Sequence, residues 1–459
     1  MIHRTLSAAG IAAMSFVSAT AALAQEAATT AAETAAEAGT PIAAATTEVA
    51  AAVANPGNNA WMMTATLLVL LMIIPGLALF YGGLTRSKNM LSTMTQVGGA
   101  ATLAMLIWVM WGYSTAFGPE GNAFFSWGNL FLSQVTPDST AATFSDEVIS
   151  EYVFISFQMT FAAITAALIA GATVERLKFS ALMLFTAIWL TITYFPIAHM
   201  VWAGGGFLFE DGALDFAGGT VVHINAGVSA LVLAMFLGKR KGYPTEPMPP
   251  HSLVMTMIGT GLLWVGWFGF NAGSELEADG IAGLAMINTF VATAAAALTW
   301  MLMERFAGHK GSALGFCSGV IAGLVAVTPA AGNSGPFGAI VLGIVASVIA
   351  YFAVAKLKPR LGYDDSLDVF GIHGVAGIVG AIGTGIVYQP GFGGPGDGST
   401  PLGAQLGVQA WAVIVAIVWA AIGTTIAALI TKVVTGLRVS EEIEREGLDI
   451  GEHGERAYN

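Results

Sequence analysis

The sequence predicts an all-α polytopic membrane protein with eleven transmembrane helices, and three observations support that fold class. First, 55% of the 459 residues are hydrophobic and 10% are charged, whereas soluble globular chains carry about 25% charged residues. Second, the apolar segments are continuous over about 20 residues, whereas the strands of membrane barrels alternate over about 10 residues. Third, Lys and Arg occur in every second loop between these segments. Lipid is therefore the expected solvent, and no nucleic-acid partner is expected.

The chain begins with the layout of a secretory signal peptide, in which a basic start and a short Ala-rich apolar stretch precede a small-x-small cleavage site before Gln25. Residues 1–24 are therefore predicted to be removed, with a first membrane helix as the alternative. Residues 25–60 repeat Ala, Thr and Glu without an aromatic residue, a composition that cannot bury enough apolar area to order itself. We expect a disordered periplasmic segment there, a transmembrane domain at residues 61–437 and a cytoplasmic tail at residues 438–459.

Eleven apolar segments are long enough to cross about 30 Å of hydrocarbon at about 1.5 Å per residue. They begin near Trp61, Thr93, Tyr152, Phe179, Ala217, Ser252, Ile281, Gly311, Phe337, Leu367 and Ala404. Loops after odd-numbered segments hold every Lys and Arg outside the signal peptide, and loops after even-numbered segments hold neither. Because short cytoplasmic loops retain basic residues, the sequence predicts a multi-pass protein of the cell inner membrane with its N-terminus outside and its C-terminus inside.

A short motif, H-x-x-A-G, occurs in the fifth segment as His223-Ile-Asn-Ala-Gly227 and in the tenth as His373-Gly-Val-Ala-Gly377. Because the two copies are five segments apart, they cross the membrane in opposite directions, as in inverted-topology repeats with a substrate site near midplane. Chance recurrence is the alternative in a chain rich in Ala and Gly. We therefore predict a 5+5 inverted repeat followed by a closing helix.

Of the seven histidines, His223 and His373 are the two placed deep in predicted helices. A polar side chain at that depth normally faces a partner or a water-filled path, which predicts a pore site for a small polar solute that can lose and regain a proton. The alternative is that each imidazole bonds a carbonyl of a neighbouring helix. No metal or cofactor is expected, because no third His, Cys or carboxylate stands at ligand spacing on either helix.

Aromatic and hydroxyl residues end two segments on the predicted periplasmic side. The fourth segment ends at Trp202, and the sixth ends in an aromatic-rich run from Trp267 to Ser274. Aromatic faces beside a hydroxyl suit a small cation, since cation–π attraction contributes about 0.5 to 2 kcal/mol, whereas an interfacial aromatic belt is the alternative. Asp215, which precedes the fifth segment, is either a helix N-cap or a part of this outer site.

Four longer stretches carry a resemblance to a known family. They are Phe80-Tyr-Gly-Gly-Leu-Thr-Arg-Ser-Lys-Asn89, Asp215-Phe-Ala-Gly-Gly-Thr-Val-Val-His-Ile-Asn225, Gly266-Trp-Phe-Gly-Phe-Asn-Ala-Gly-Ser274 and Asp368-Val-Phe-Gly-Ile-His-Gly374. From about Trp61 to its C-terminus, the chain resembles the family of ammonium transporters, methylammonium permeases and Rhesus proteins, on the bacterial ammonium transporter branch. The resemblance implies an eleven-helix fold with an inverted repeat, assembled as a homotrimer with one pore per subunit.

The resemblance also implies roles for residues at the outer mouth. Trp202, Phe161 and Ser274 would form the site for ammonium or its analogue methylammonium. Asp215 would hold that site in shape and favour cation binding. Phe161 and Phe270 would stack as a gate below it.

Below the gate, the resemblance makes His223 and His373 the paired pore histidines. The chain is then expected to be a transporter and not an enzyme. It would recruit ammonium outside, remove its proton and conduct it through an apolar pore, with net charge movement. An ammonium sensor that signals through its tail and a Rhesus-type neutral-gas channel are the alternatives. The tail would pack across subunits and respond to PII-type signalling proteins.

Two features depart from the family pattern. The Ala/Thr/Glu-rich segment before Trp61 is longer than the family core needs, and Glu275, Glu277 and Asp279 make the outer vestibule unusually acidic. Local acids raise the cation concentration near a mouth, so they act on apparent affinity without touching the pore.

The alternating loop charges yield a test of orientation. A reporter that is active only in the periplasm should be active when fused within residues 118–150 and silent when fused after Arg438, because the first position follows an even-numbered segment and the second follows the last odd-numbered one. A reporter that is active only in the cytoplasm should show the reverse pattern at the same two positions. A periplasm-active fusion at the tail would overturn the predicted orientation.

Overall fold

The computed structural model describes residues 53–458, and the predictions for residues 1–52 lie outside the described residues. Within that range, eleven helices are long and apolar enough to cross a membrane, which confirms the predicted fold class. They are α1 (Pro56–Leu84), α2 (Ser87–Phe117), α3 (Glu151–Ala170), α4 (Phe179–Glu210), α5 (Gly219–Leu237), α6 (Leu253–Gly273), α7 (Gly280–Phe306), α8 (Ala313–Ala330), α9 (Pro336–Leu361), α10 (Phe370–Val387) and α11 (Leu402–Val434). Two short tail helices follow, α12 (Glu441–Glu446) and α13 (Leu448–His453).

The loop between α2 and α3 contains two short antiparallel strand pairs. β1 (Glu120–Gly121) pairs with β2 (Ser126–Trp127), and β3 (Thr140–Ala142) pairs with β4 (Val148–Ser150). The second pair leads directly into α3, so this long connection has its own hydrogen-bonded structure.

The first helix begins at Pro56, five residues before the position predicted from the apolar pattern. Pro is favoured in the first turn because its missing N–H has no intrahelical partner there. Asn55 caps the helix, since its Oδ1 accepts the backbone N–H groups of Gly57 and Asn58 at 2.8 and 3.1 Å. Residues 56–60 are therefore helical, although they fall in the segment predicted to be disordered. Apolar periodicity missed them because a capped helix end needs no apolar residue.

Within the described residues, six of the spanning helices contain a π-helical segment, in which an extra residue widens one turn. These segments are Met72–Leu77 in α1, Trp108–Gly112 in α2, Leu190–Tyr194 in α4, Gly219–Ile224 in α5, Ala353–Leu357 in α9 and Phe370–Gly374 in α10. The segments in α5 and α10 contain His223 and His373. Both deep histidines therefore lie on turns of a kind that is frequent at functional sites.

Glycines of the repeated motif allow α5 and α10 to cross in backbone contact. A Cβ atom on Gly227 would overlap the backbone of Gly374, and one on Gly377 would lie 3.1 Å from the Cβ of His223. Any side chain at Gly227 would therefore force the two helices apart. The H-x-x-A-G repeat thus marks the crossing point of the two helices that carry the deep histidines.

A buried charge network joins loops that follow odd-numbered helices. Arg86 pairs with Glu175 at 2.7 Å, and Arg240 pairs with Glu175 at 3.2 Å and with Asp364 at 2.8 Å. These residues follow α1, α3, α5 and α9, so those loops lie on one side of the protein, as the alternating charges predict. Burial opposes the ionisation of Glu175, but the hydrogen bonds and charges of Arg86 and Arg240 outweigh it and lower the pKa of that carboxyl.

The C-terminal tail packs on the same side, against helix ends of its own chain. Asp449 Oδ1 accepts the backbone N–H of Ser92 at 2.8 Å, and Asn89 Oδ1 accepts that of Leu448 at 2.8 Å. Both contacts hold the tail against the start of α2. Packing of the tail across subunits stays a prediction.

Candidate functional site

Two histidines meet where α5 and α10 cross. Nδ1 of His223 lies 3.3 Å from Nδ1 of His373, and the ring centroids are 5.4 Å apart. The side chains are 1% and 4% exposed. In a neutral pair, one Nδ1 donates and the other accepts, so one Nε2 is an acceptor and the other Nε2 carries a proton. The pair therefore offers a small solute one donor and one acceptor. The two roles exchange when the accepting Nε2 gains a proton, the shared Nδ1 proton crosses to the second ring and that ring releases the proton on its own Nε2.

A small apolar cavity lies beside this pair. It is lined by both imidazoles, Trp267, Phe80 and aliphatic side chains. The volume open to the centre of a water molecule is about 10 Å³. About that volume holds one water-sized molecule. Among residues 53–458, the buried Nε2 of His223 has no hydrogen-bond partner. The cavity can therefore hold one small polar molecule against an imidazole.

A line of contacting aromatic rings leads to the histidines. Phe161 and Phe270 stack with their centroids 4.2 Å apart and their planes inclined by 17°, and both are buried. Trp202 stands edge-on to Phe161 at 5.6 Å, and Phe270 lies 6.0 Å from His223. The contacting rings follow one another in the order Trp202, Phe161, Phe270, His223 and His373. A solute that follows this line can pass only if one phenylalanine ring rotates.

Ser274 and Trp202 are oriented by hydrogen bonds to backbone carbonyls. Ser274, at the end of α6, donates from Oγ to the carbonyl of Phe270 at 2.8 Å. Its hydroxyl therefore presents lone pairs, not a proton, to a solute. Trp202 Nε1 donates to the backbone carbonyl of Asp215 at 2.8 Å, which fixes the indole beside Phe161.

The Asp215 carboxylate caps α5. Its two oxygens accept the four backbone N–H groups of residues 218–221 at distances from 2.6 to 3.1 Å. Four bonds occupy the lone-pair sites of a carboxylate, so the acid is engaged with the helix start. Asp215 contacts Trp202 through its backbone carbonyl and not through its carboxylate. The geometry is therefore that of an N-cap that also positions the outer indole.

Sequence reasoning missed a second capping acid. Asp365 accepts two backbone N–H groups at the start of α10, at 3.1 and 2.7 Å. It lies eight residues before His373, as Asp215 lies eight residues before His223. Burial raises the pKa of the Asp365 carboxyl to about 6. The signal that could have identified it is an acid at the same distance before each deep histidine.

The three acids after α6 do not form an open acidic surface. Glu277 accepts the backbone N–H and the hydroxyl of Ser145, each at 3.1 Å, and Asp279 caps α7 by accepting the N–H of Ala282 at 2.9 Å. Glu275 is 7% exposed, and burial together with the charges of Asp279 and Glu277 raises the pKa of its carboxyl to about 8. The vestibule is thus less acidic near pH 7 than the residue count suggests, because Glu275 is then mostly neutral.

The chain matches known proteins over most of its length. A family model described as the ammonium transporter family matches residues 60–458. The ammonium transporter of Aquifex aeolicus is 50% identical over 408 residues, which cover 89% of this chain and 95% of that protein. The ammonium transporter of Bacillus subtilis is 44% identical over 410 residues, which cover 88% of this chain and 98% of that protein.

Solved structures match in fold as well. The crystal structure of Candida albicans Mep2 superposes with a TM-score of 0.78 at 38% identity, covering 85% of this chain and 87% of that chain. A structure described as a sensor Amt protein superposes with a TM-score of 0.79 at 29% identity, covering 86% of this chain and 98% of that chain. The range matched by the family model, residues 60–458, includes the helices that carry the line of rings.

The cap at Asp215 predicts a large loss of stability on its removal. In Asp215→Ala, four backbone N–H groups lose their acceptor in a buried setting. Loss of an N-cap costs about 0.5 to 2 kcal/mol, and each unsatisfied buried donor about 1 to 3 kcal/mol, so the free energy of unfolding should fall by about 2 kcal/mol or more. Thermal unfolding of the detergent-solubilised protein measures this loss.

The matched control for this variant is Asp279→Ala, which removes a cap with one N–H bond at 2.9 Å and should cost less. Asp215→Asn keeps one acceptor oxygen and should fall between Asp215→Ala and the parent. Equal unfolding temperatures for Asp215→Ala and the parent would show that the cap contributes no stability.

Proposed function

This chain belongs to the ammonium transporter family, and from that premise we propose that it transports ammonium by deprotonating it. In this proposal, ammonium is recruited at the Trp202 end of the line of rings and loses its proton there. The neutral amine then crosses past His223 and His373, with net charge movement. The family is one of transporters and not of enzymes. The observation that carries the proposal is the unbroken contact of rings that ends at a cavity sized for one small molecule.

At the outer end, Trp202, Phe161 and Ser274 are the groups that bind the cation in this proposal. Aromatic faces attract a small cation with about 0.5 to 2 kcal/mol, more when the site is dry. The Ser274 lone pairs accept an N–H of ammonium, a bond that potassium cannot make. The cap at Asp215 supports this role, because its carbonyl holds the Trp202 indole at 2.8 Å.

Below the outer site, desolvation separates ammonium from other cations. A monovalent ion that enters a dry constriction loses its hydration at an effective cost of several kcal/mol, and the stacked Phe161 and Phe270 rings leave no space for a water shell. Ammonium can leave its proton outside and cross as the amine, which both donates to and accepts from imidazole nitrogens. Potassium cannot lose its charge and is excluded.

The histidine pair provides a route for the separated proton. A proton that enters at the accepting Nε2 of one ring can be balanced by transfer of the shared Nδ1 proton, after which the second ring releases the proton on its own Nε2. The 3.3 Å separation of the Nδ1 atoms of His223 and His373 supports that transfer. The products are then one amine and one proton on the inner side, which recombine as ammonium.

The eleven apolar helices make the chain a multi-pass membrane protein. We further propose that it forms a homotrimer in the cell inner membrane, with its N-terminus outside, and that its tail responds to PII-type signalling proteins. The family resemblance supports the trimer and the tail partner, and the loop charges support the orientation. Sensing is a second candidate function, favoured by the similarity to a structure described as a sensor Amt protein.

Substitution of both pore histidines tests the mechanism. In the variant with Ala at His223 and His373, the ammonium-driven current should fall by about 100-fold or more, since positioned proton-transfer groups contribute about 10²- to 10⁴-fold. In His223→Asp, an acid in the pore can stabilise an intact cation, so ammonium current should persist while potassium begins to pass. Currents in proteoliposomes after ammonium pulses and then potassium pulses measure both effects.

The matched control for the histidine variants is His199→Gln. His199 is also buried, but its ring nitrogens lie 2.8 and 2.7 Å from the carbonyls of Ala116 and Asn122, outside the ring line. This control should keep the parent current and exclude potassium. Parent-like current and potassium exclusion in the double Ala variant would show that the two histidines only pack the helices.

The buried acid beside Ser274 predicts a pH dependence of apparent affinity. With a pKa of about 8, the Glu275 carboxyl is mostly neutral at about pH 6.5 and mostly charged above about pH 8.5. Its charge attracts a cation by about 0.2 to 1 kcal/mol, so the half-saturating methylammonium concentration should fall roughly 1.4- to 5-fold over this range. Uptake of labelled methylammonium at both pH values measures the change.

Glu275→Gln should remove this pH dependence. The matched control is Asp146→Asn, which neutralises an exposed acid of the outer loop and should retain it. If the half-saturating methylammonium concentration falls with rising pH as much in Glu275→Gln as in the parent, the pH dependence belongs to another group.

A further inference from the structure

A ring outside the predicted site residues stacks directly on a pore histidine. The Trp267 indole lies parallel to the His223 imidazole, with the centroids 5.3 Å apart and the planes inclined by 19°. At the edge of the ring, Trp267 Nε1 donates to Thr328 Oγ1 at 2.9 Å. Trp267 is 2% exposed and Thr328 is 0% exposed. The indole is therefore held at its edge by one hydrogen bond and presents a face to the imidazole.

Thr328 is itself oriented by a buried polar network. Its hydroxyl donates to the carbonyl of Leu324 at 2.7 Å, which leaves lone pairs on Oγ1 for the indole N–H. Asn271 Oδ1 lies 3.3 Å from the same oxygen, and Asn271 Nδ2 donates to Thr289 at 3.0 Å. Helices α6, α7 and α8 thus contribute to one set of bonds. Because buried polar groups are costly unless they are paired, this network specifies an orientation for Trp267 that apolar packing alone would not.

A stacked indole favours the protonated imidazole over the neutral one. The negative face of a Trp ring attracts a cation within about 6 Å of its centroid, most strongly where the cation is desolvated. Among residues 53–458, the ionisable side chain in contact with His223 is His373, which cannot act as a counter-ion. Two aromatic faces thus lie beside His223. The Trp267 indole is the nearer one, at 5.3 Å against 6.0 Å for Phe270, and the more nearly parallel one, so it is the stronger partner for a transferred positive charge.

We infer that Trp267 stabilises the proton on His223 during transport and that Thr328 is a positioning residue that holds Trp267 in the required stack. The inference rests on the proposed function of the histidine pair. In this inference, Trp267 acts directly on the proton and Thr328 acts through Trp267. Neither residue is needed to bind ammonium at the outer site.

The test compares Thr328→Val, Thr328→Ser and Trp267→Leu with the parent in proteoliposomes. Ammonium-driven current is recorded against ammonium concentration and against pH, and labelled methylammonium uptake is measured in the same preparations. Thr328→Val removes the acceptor at nearly constant volume, whereas Thr328→Ser keeps it. Trp267→Leu removes the stack itself.

The maximal current should fall roughly two- to thirtyfold in Trp267→Leu, the range that corresponds to one lost cation–π contact, and by a smaller factor in Thr328→Val. The half-saturating ammonium concentration should stay within about twofold of the parent, because the outer site is unchanged. The pH profile of the current should shift toward lower pH, since an unstacked His223 needs a higher proton concentration to be protonated. Thr328→Ser should restore the parent behaviour.

The matched control is Thr424→Val. The Thr424 hydroxyl also lies beside a buried indole, 3.2 Å from Trp189 Nε1, but that indole does not stack on a pore histidine. This variant should keep the parent current and pH profile. If Thr328→Val does not fold, Trp267→Phe replaces it, because that variant keeps a ring face and loses the N–H bond. Its maximal current should lie between those of the parent and Trp267→Leu.

Parent-like maximal current and pH profile in both Trp267→Leu and Thr328→Val, while the double Ala variant at His223 and His373 loses its current, would overturn this inference and leave the proposed function intact. A raised half-saturating concentration at unchanged maximal current would also overturn it, because Trp267 would then act in substrate binding. Retained current in the double Ala variant would overturn the proposed function, and this inference with it.

Discussion

A polar group inside this bundle is costly unless it finds a partner inside the bundle, because lipid supplies none, and the arrangement of the proposed pore follows from that constraint. Asp215 and Asp365 accept the backbone N–H groups that the starts of α5 and α10 would otherwise leave unpaired. Among the described residues, the Nε2 of His223 is one of thirteen buried side-chain nitrogen and oxygen atoms without a partner, and it lines the cavity beside the histidine pair. A nitrogen left in that state beside a cavity for one small molecule is the group that would bond a solute in the proposed transport path.

The same constraint explains why the two histidines need small neighbours. Their helices approach until Gly227 contacts Gly374, and only that approach brings the two Nδ1 atoms to 3.3 Å. The widened π-helical turns that carry His223 and His373 lie at this crossing. A larger residue at Gly227 would separate the rings and break the Nδ1–Nδ1 contact, so packing and the proposed proton transfer depend on one short helix–helix contact.

Charged side chains lie in the loops, helix ends and tail, away from this dry centre, and a buried network of them joins loops on one side of the protein. Arg86, Glu175, Arg240 and Asp364 join the loops after four odd-numbered helices, where each buried charge has an opposite charge and several hydrogen bonds. Along the line from Trp202 to His373, by contrast, the contacting groups are aromatic rings and imidazoles. In the proposed mechanism, such a path admits an ion that can give up its proton more readily than one that must keep its charge.

The sequence by itself determined the eleven helices, their alternating loop charges and the two deep histidines, because the length of a bilayer-crossing helix and the depth of a residue along it are set by the solvent and are visible in local composition. The pairing of Phe161 with Phe270 came from family resemblance, since no local pattern links positions on different helices. Only the tertiary structure decided that Trp267 stacks on His223, that Asp365 caps α10 and that Glu275 is buried. These outcomes depend on which helix faces cross and on how tightly, and such contacts join residues that are far apart along the chain.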